Sequence, residues 1–378
     1  MRILLSLHAS LSADGGASGV TQALGDAYVH LGHEVAYFSL DDLGSNLSQQ
    51  ARLLLFPLLL PRRLSQLQRS GPVHVVDASS GDASLLIALG RLQRRSQPVI
   101  GARSHGLEHV VMEDHLRTLA DAGLRLRWRY RLYNNVLRLP QVAYALRHSD
   151  VAMFLNDDDR NYAVGRLGVR ESRAVLVSNG LQEAFLGLPV CPGPVGAEHT
   201  RIAQVGSYLP RKGIKEGAAA LHMVLERYDR VTMSFIGTGC HRAHVLEDFD
   251  SRLHDRINVV PRYARHELPG LLADHHIKLF PTYAEGASLA LLEAMACGLA
   301  PVATGIAANL GVVKDGETGI VVPPRDSAAL VAALDRLLVS PPLLERLRRN
   351  AHVRAQAFGW RAIAETTLDL YRQAGARG

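Results

Sequence analysis

Two glutamates, Glu285 and Glu293, lie in a segment whose pattern is strand, turn, helix and strand. The first acid falls in the turn and the second inside the helix, and residues 286–288 form the entry to that helix. A helix N-terminus carries unpaired N–H groups that favour an anion, whereas carboxylates accept hydrogen bonds from hydroxyl groups. The segment therefore predicts a site for a ligand that joins a phosphate to a sugar.

A second candidate site lies earlier in the same half of the chain, where Arg211, Lys212 and Gly213 form a basic turn between an apolar run and a helical pattern. The guanidinium offers a fork of donors and the ammonium a point charge, and both suit a diphosphate. Each motif alone is weak, because basic turns are commonly solvated and glutamates on helices are common. Together, both at the carboxyl ends of predicted parallel strands, they indicate one shared site.

Short apolar runs alternate with longer helical patterns along all 378 residues, which predicts an α/β fold with parallel sheets and crossover helices. Six apolar runs in each half predict two doubly wound domains, and ligands in such sheets lie beyond the carboxyl ends of the strands. We expect an interdomain cleft between them. The predicted bounds are 1–188 and 200–358, and the linker candidate is the Pro- and Gly-rich segment 186–200.

The two motifs resemble those of the retaining GT-B glycosyltransferases grouped as family 4, or glycosyltransferase group 1. That family carries a Glu-x7-Glu signature followed by an Ala-x-Gly turn, matched here by Glu285, Glu293 and residues 296–298. It also carries a basic turn after the first strand of its C-terminal domain, matched by residues 211–213. The resemblance implies a GT-B fold of two facing Rossmann-like domains, with a final helix, 359–378, that packs back on the N-terminal domain.

The resemblance also implies a role for each residue of the site. Glu293 would accept hydrogen bonds from the ribose hydroxyls, and Glu285 would hold the transferred sugar. Arg211 and Lys212 would bind the diphosphate. The residues implied in donor binding are Gly15, Gly16, Ser207, Arg211, Lys212, Glu285, Gly286, Ala287, Ser288, Leu289 and Glu293. Those implied in catalysis are His105, Arg211, Lys212 and Glu285.

The N-terminal half matches the family more loosely. Gly15 and Gly16 follow the first predicted strand, where a glycine lets a substrate approach the backbone closely, although a flexible turn explains them equally well. His105 lies just past a predicted strand, where the family places a His-Gly pair near the donor sugar, and the alternative is a structural histidine. Ser207 stands where the family often has arginine, so one phosphate cation is missing. Residues 156–159 contain an Asp-x-Asp spacing, which we interpret as a helix cap.

These features predict a retaining, metal-independent glycosyltransferase that uses no cofactor. The expected donor is a UDP- or GDP-linked sugar, and the expected acceptor is a hydroxyl group on a sugar, a lipid-linked sugar or a small molecule. The expected setting is the synthesis of bacterial glycans, glycolipids or glycoconjugates. Two alternatives remain open: a non-catalytic GT-B scaffold protein, and a sugar-nucleotide epimerase that needs no acceptor.

Two N-terminal segments suggest a membrane partner. Segment 53–63 joins an apolar run to two arginines, and segment 117–147 holds seven arginines, one acid and the interleaved Trp128, Tyr130 and Tyr133. This composition suits peripheral contact with an anionic bilayer, and the alternatives are a solvated helix face or a site for an anionic acceptor. Nucleic acid is not expected, because no recognised binding module accompanies the charge. Scattered cysteines and the lack of a long apolar run predict a cytoplasmic protein, with association with the inner face of the membrane left open.

Overall fold

The computed structural model describes residues 1–12, 16–44, 46–93, 98–121, 126, 128–190 and 199–377. The chain divides into two compact units. The first contains Met1–Gly180 and Trp360–Gly378, and the second contains Leu181–Gly359.

The first unit is built on a six-stranded sheet with the order β2-β1-β3-β4-β5-β6, in which every neighbouring pair is parallel. Its strands are β1 (Arg2–Leu7), β2 (Glu34–Ser39), β3 (Val75–Ser79), β4 (Val99–Arg103), β5 (Val151–Phe154) and β6 (Ala174–Leu176). The helices between them are α1 (Gly16–His30), α2 (Gln49–Gln68), α3 (Ser84–Gln93), α4 (Glu108–Asp121), α5 (Trp128–Tyr133), α6 (Leu139–His148) and α7 (Asp157–Leu167). A π-helical turn, Asn134–Arg138, joins α5 to α6.

The second unit repeats this plan with the strand order β12-β11-β10-β7-β8-β9, again parallel. Its strands are β7 (Arg201–Val205), β8 (Thr232–Ile236), β9 (Ile257–Val260), β10 (Ile277–Phe280), β11 (Ala300–Thr304) and β12 (Ile320–Val322). Its helices are α8 (Ile214–Arg227), α9 (Arg242–Leu246), α10 (Leu268–Leu272), α11 (Leu289–Ala296), α12 (Ala307–Leu310), α13 (Ser327–Leu338) and α14 (Pro341–Gln356). The last helix, α15 (Trp360–Gln373), returns to the first unit.

Strands β3, β4 and β5 of the first sheet and β10 and β11 of the second are buried along their whole length, because crossover helices cover both faces of a parallel sheet. Each of the twelve predicted strands is present, and the predicted fold class of two doubly wound domains is confirmed. The chain enters the second unit at Leu181, before the predicted limit at residue 188. The reason is packing: Leu181 and Phe185 are buried in the core of the second unit, and the Leu181 N–H donates to the Phe358 carbonyl at 2.7 Å.

Helix α15 packs on the first unit, as the resemblance implies. Leu368 and Tyr371 lie in one apolar cluster with Ile3 and Tyr28, a residue of α1. A Cβ on Gly101 in β4 would lie 2.8 Å from the Tyr371 hydroxyl oxygen, so only glycine leaves room there for this ring. The final helix therefore completes the hydrophobic core of the first unit.

No single helix among the described residues is both long enough and apolar enough to cross a bilayer. One bent pair, α13 with α14 at 102°, meets the length and composition criteria when the two helices are taken together.

Two buried histidines, His275 and His276, immediately precede β10. Burial, together with the charge of Arg201, lowers the pKa of His275 to about 4. The unfolded chain takes up this proton near pH 6.5, whereas the folded protein takes it up only near pH 4. The contribution of His275 to stability is therefore complete above pH 6.5 and is lost as the pH falls toward 4.

Lowering the pH from 7 to 5 should reduce the free energy of unfolding of the wild type. In the variant His275→Leu, this reduction should be smaller by about 2 kcal/mol. Urea denaturation of the wild type and of His275→Leu at pH 7 and pH 5 measures this difference. The same substitution at His241, which is exposed, is the matched control. Equal acid sensitivity in all three proteins would contradict the expectation.

Candidate active site

The basic turn, residues 211–213, lies between β7 and α8 and is held against the loop that follows β10. Gly213 adopts a left-handed backbone conformation with φ +67°, and a Cβ there would lie 1.9 Å from the Pro281 carbonyl oxygen. Only glycine permits this approach. The Arg211 carbonyl accepts hydrogen bonds from the Tyr283 N–H at 2.9 Å and from the Thr282 hydroxyl at 3.1 Å. Two loops that are distant in sequence are therefore joined at one edge of the sheet.

This junction brings three of the predicted residues together. Lys212 Nζ forms an ion pair with Glu285 Oε1, and both side chains are largely buried. Arg211 Nη1 lies 4.0 Å from Glu285 Oε2, and its side chain is 48% exposed. Lys212 is therefore fixed by its carboxylate partner, whereas Arg211 remains open to an approaching anion.

Glu293 lies inside α11 and has a different partner. Arg265 donates to its Oε1 through Nη2 at 2.6 Å and through Nε at 3.1 Å. Burial raises the pKa of the Glu293 carboxyl, and the neighbouring Arg265 opposes that rise. Arg265 was not predicted from the sequence as part of this site. Its position in the sequence does indicate a site residue, because Arg265 follows β9. Like the basic turn, it therefore lies after the carboxyl end of a parallel strand.

Lys278, which was also not predicted from the sequence, is fully buried in β10. Its Nζ lies 3.4 Å from the Val205 carbonyl oxygen and 5.2 Å from the centre of the Phe280 ring, and Lys212 Nζ lies 5.7 Å from the same ring centre. Burial, with a smaller contribution from Lys212, lowers the pKa of Lys278 well below its ordinary value. The only signal in the sequence was a lysine inside an otherwise apolar strand.

The entry to α11 is held by buried polar contacts. The Ser288 hydroxyl donates to Asn309 Oδ1, and Asn309 Nδ2 donates to the Thr304 carbonyl at 2.9 Å. The other predicted residues of this loop, Gly286, Ala287 and Leu289, are partly exposed. The N–H groups of the first turn of a helix have no partner within it, so this entry can bind an anion. Ser207 is also partly exposed and follows β7.

The remaining predicted residues lie in the first unit. Gly16 is exposed at the start of α1, and Gly15 lies outside the described residues. His105 is partly exposed, yet protein atoms surround most of its ring, and this desolvation, together with the charge of Arg103, lowers the pKa of His105 to about 4. His105 is therefore neutral at pH 7. Arg103 itself is buried and donates to Asp77 at 2.8 and 3.2 Å.

The interpretation of residues 156–159 as a helix cap is confirmed. Asn156 is the N-cap of α7, and its side-chain oxygen accepts a hydrogen bond from the Asp159 N–H at 2.8 Å. Asp159 in turn accepts from the Leu107 N–H at 3.0 Å. The Asp-x-Asp spacing therefore serves the start of a helix.

Two doubly wound units, with α15 packed on the first, give this chain the GT-B fold. Residues 199–340 match the family described as "Glycosyl transferases group 1". This match covers the greater part of the second unit.

Individual relatives cover the chain to different extents. Over 154 residues the chain is 33% identical to the D-inositol 3-phosphate glycosyltransferase of Frankia alni, a match that covers 39% of this chain and 38% of that protein. The chain thus matches about two fifths of the length of this curated relative. Sucrose-phosphate synthase from Thermosynechococcus elongatus shares the fold with a TM-score of 0.72, at 20% identity and over 98% of each chain. Anabaena HepE in complex with UDP and glucose does so with a TM-score of 0.65, at 16% identity, over 99% of this chain and 100% of that one.

Proposed function

We propose that this protein is a retaining glycosyltransferase that moves a sugar from a nucleoside diphosphate to a hydroxyl acceptor without a metal. The observation that carries the proposal is the convergence of Arg211, Lys212 and Glu285 at the carboxyl edge of the second sheet. Glu293 and its partner Arg265 follow strands of the same sheet. The basic turn supplies positive charge for a diphosphate, and the acids supply oxygens for the hydroxyls of a sugar and a ribose.

The chemistry follows from how charge moves. Breaking the bond between the anomeric carbon and the diphosphate leaves positive charge on the sugar and negative charge on the departing phosphate. Arg211, Lys212 and the N–H groups at the entry to α11 stabilise that negative charge. The acceptor oxygen attacks from the face that the diphosphate leaves, so the configuration is retained, and its proton passes to the departing phosphate oxygen. Lys212 is suited to this role, because its pairing with Glu285 fixes the ammonium before the reaction begins.

Glu293 remains suited to ribose although it is already paired. Both hydrogen bonds from Arg265 end on Oε1, so Oε2 remains available to a ribose hydroxyl. UDP and GDP are the proposed nucleotides, and the UDP complex of Anabaena HepE supports the first of them by analogy of fold.

The first unit is proposed to bind the acceptor and to contact an anionic membrane. Helices α2 and α5 border a groove of about 800 Å³, lined in part by Leu53, Leu54 and Tyr133. Trp128 and Tyr130 also line this groove and are 68% and 50% exposed. Both helices carry arginines and no acid, so they complement anionic lipids.

Cosedimentation of the protein should be stronger with phosphatidylglycerol vesicles than with phosphatidylcholine vesicles, and equal sedimentation would contradict the membrane proposal.

Titration calorimetry with UDP, GDP and ADP, followed by transfer assays with the matching sugar nucleotides, tests the proposed activity. A transferase binds at least one nucleotide and consumes its sugar donor only when an acceptor is present. An epimerase interconverts donor sugars without an acceptor. A non-catalytic scaffold neither transfers nor interconverts the donor sugar. Failure to bind any nucleotide, or turnover that is independent of an acceptor, would overturn the proposal.

A further inference from the structure

A basic pocket of about 270 Å³ lies in the first unit, apart from the residues assigned above. Its lining among the described residues consists of Arg147, His148, Gly168, Arg170 and Arg173. The first two end α6, the glycine follows α7, and the last two lie in the turn that leads into β6. We call these five residues the arginine pocket.

The arginine pocket lies at the amino edge of the first sheet. Helix α6 ends at His148, just before β5 begins, and Arg173 immediately precedes β6. Both strands run parallel to the rest of the sheet, so the pocket lies at the edge opposite to the one where His105 follows β4. Ligands of doubly wound sheets bind beyond the carboxyl ends of the strands, so this pocket is separate from the proposed site of transfer.

Two of the arginines are held in place by backbone carbonyls. Arg147 Nε donates to the Leu167 carbonyl at 2.7 Å, and Arg173 Nη1 donates to the Ser149 carbonyl at 2.9 Å. Each bond uses one of the five N–H donors of a guanidinium, so most donors of both side chains remain for a ligand. Because the side chains are fixed before a ligand arrives, less entropy is lost when it binds.

Gly168 makes room for Arg147. It ends α7 in a left-handed conformation with φ +70°, and a Cβ there would lie 3.3 Å from Arg147 Nε. A side chain at this position would therefore crowd the guanidinium, whereas glycine lets it lie against the backbone. The end of α7 is thus shaped around this arginine.

The arginines of the pocket form no ion pair with an acid among the residues that the structure describes. Glu171, in the same turn as Arg173, pairs instead with Arg160 at 3.2 Å. Asp150 accepts a hydrogen bond from the Ile100 N–H at 2.9 Å. Like charges that share a pocket without a counter-ion repel one another and destabilise the fold, and a bound anion would remove that repulsion.

The charge of the pocket matches a phosphate group. Three guanidiniums contribute three positive charges, and the carboxyl ends of α6 and α7 contribute roughly half a negative charge each. With no charge counted on His148, about two net positive charges remain. A phosphate monoester carries about −1.5 to −2 at pH 7. A carboxylate carries a single negative charge and has fewer oxygens to share among three guanidiniums.

We propose that the arginine pocket binds a phosphate group, either free, on a soluble ester or on a lipid headgroup, at a site distinct from the donor site. The proposal does not depend on glycosyl transfer. It also bears on the basic segment 117–147, because Arg147 belongs to that segment. Its place at the amino edge of the sheet excludes it from binding an acceptor beside His105.

The test uses the full chain and titration calorimetry with inorganic phosphate, glucose 6-phosphate and acetate. Inorganic phosphate or the ester should bind more tightly than acetate, and its affinity should fall about tenfold or more in Arg170→Gln and in Arg147→Gln. Arg170→Gln is the principal variant, because no hydrogen bond or ion pair joins its side chain to another described residue. The substitution therefore removes a charge without removing a contact that stabilises the fold.

Arg166→Gln is the matched control, because Arg166 is an exposed arginine in the last turn of α7 that does not line the pocket. It should bind phosphate as the wild type does. Lys212→Met, in the proposed donor site, should keep the affinity that Arg170→Gln loses. The affinity of Arg170→Gln for UDP or GDP should stay unchanged, so a failure of this proposal is distinguishable from a failure of the proposed function.

Cosedimentation with vesicles distinguishes the two sources of phosphate. With a soluble source, Arg170→Gln binds inorganic phosphate or the ester more weakly and sediments with phosphatidylglycerol vesicles as the wild type does. With a lipid source, Arg170→Gln sediments less with these vesicles, whereas Arg166→Gln does not. Acetate binding as tight as that of phosphate would overturn the proposal. So would unchanged binding of phosphate, ester and vesicles in Arg170→Gln and in every folded Arg147→Gln sample.

Discussion

Lys212→Met should lower kcat by roughly 100- to 1,000-fold, the range seen when one preorganised donor to a developing negative charge is removed. The donor KM should change far less, because Arg211 and the entry to α11 still meet the ground-state diphosphate. Steady-state kinetics with the sugar nucleotide identified by calorimetry measure both parameters. A kcat within a few-fold of wild type would show that Lys212 does not stabilise the departing phosphate.

Two further variants separate this chemical role of Lys212 from its structural one. Lys215→Met changes an exposed lysine three residues later and should leave kcat unchanged. Lys212→Met also leaves Glu285 without its closest cation, which should lower the melting temperature. The double variant Lys212→Met/Glu285→Gln should recover much of that melting temperature and remain inactive. Recovery of activity along with stability would mean that Lys212 serves only to neutralise Glu285.

Glu293→Ala should weaken nucleotide binding by roughly 10- to 100-fold, because a hydrogen bond to a charged group contributes about 1.5–3 kcal/mol. Calorimetry with UDP or GDP measures the change. The sharper test uses the matching 2′,3′-dideoxynucleotide, which lacks the ribose hydroxyls. The wild type should bind this analogue more weakly than the ribonucleotide, whereas Glu293→Ala should bind the analogue and the ribonucleotide equally.

The control for this prediction is Glu247→Ala, at an exposed position near α9, which should bind as the wild type does. If Glu293→Ala still prefers the ribonucleotide over its dideoxy analogue by the wild-type factor, the ribose hydroxyls are recognised elsewhere. An unchanged affinity for the ribonucleotide itself would lead to the same conclusion.

The sequence predicted the parts of the site that depend on position along one strand and its following loop. Arg211, Lys212 and Glu285 each follow a buried apolar strand, and parallel strands bring their carboxyl ends to one edge. That rule suffices to place the residues near each other. It does not say which cation meets which acid, and the structure shows that Lys212 pairs with Glu285 while Arg265 pairs with Glu293.

Other features have no local signal of this kind. Lys278 interrupts an apolar strand, and only its burial beside Lys212 and Phe280 gives it significance. The contacts among His8, Asp82, Glu108 and Arg138 join four segments spread over the first 138 residues, and each of these residues alone resembles an ordinary polar residue after a strand or on a helix. Such clusters depend on how the crossover helices pack on the sheet.

The amino-acid sequence by itself determined the two doubly wound units, their twelve strands and the edge of each sheet where polar residues gather, because apolar periodicity encodes which backbone is buried. The tertiary structure decided the partners of each charge: Glu285 with Lys212, Glu293 with Arg265, and Asp82 with His8. The physical reason is the separation along the sequence of the residues on which each feature depends. Burial patterns are set within one strand or helix, whereas an ion pair or a buried hydrogen bond depends on a few ångströms between segments that are distant in sequence.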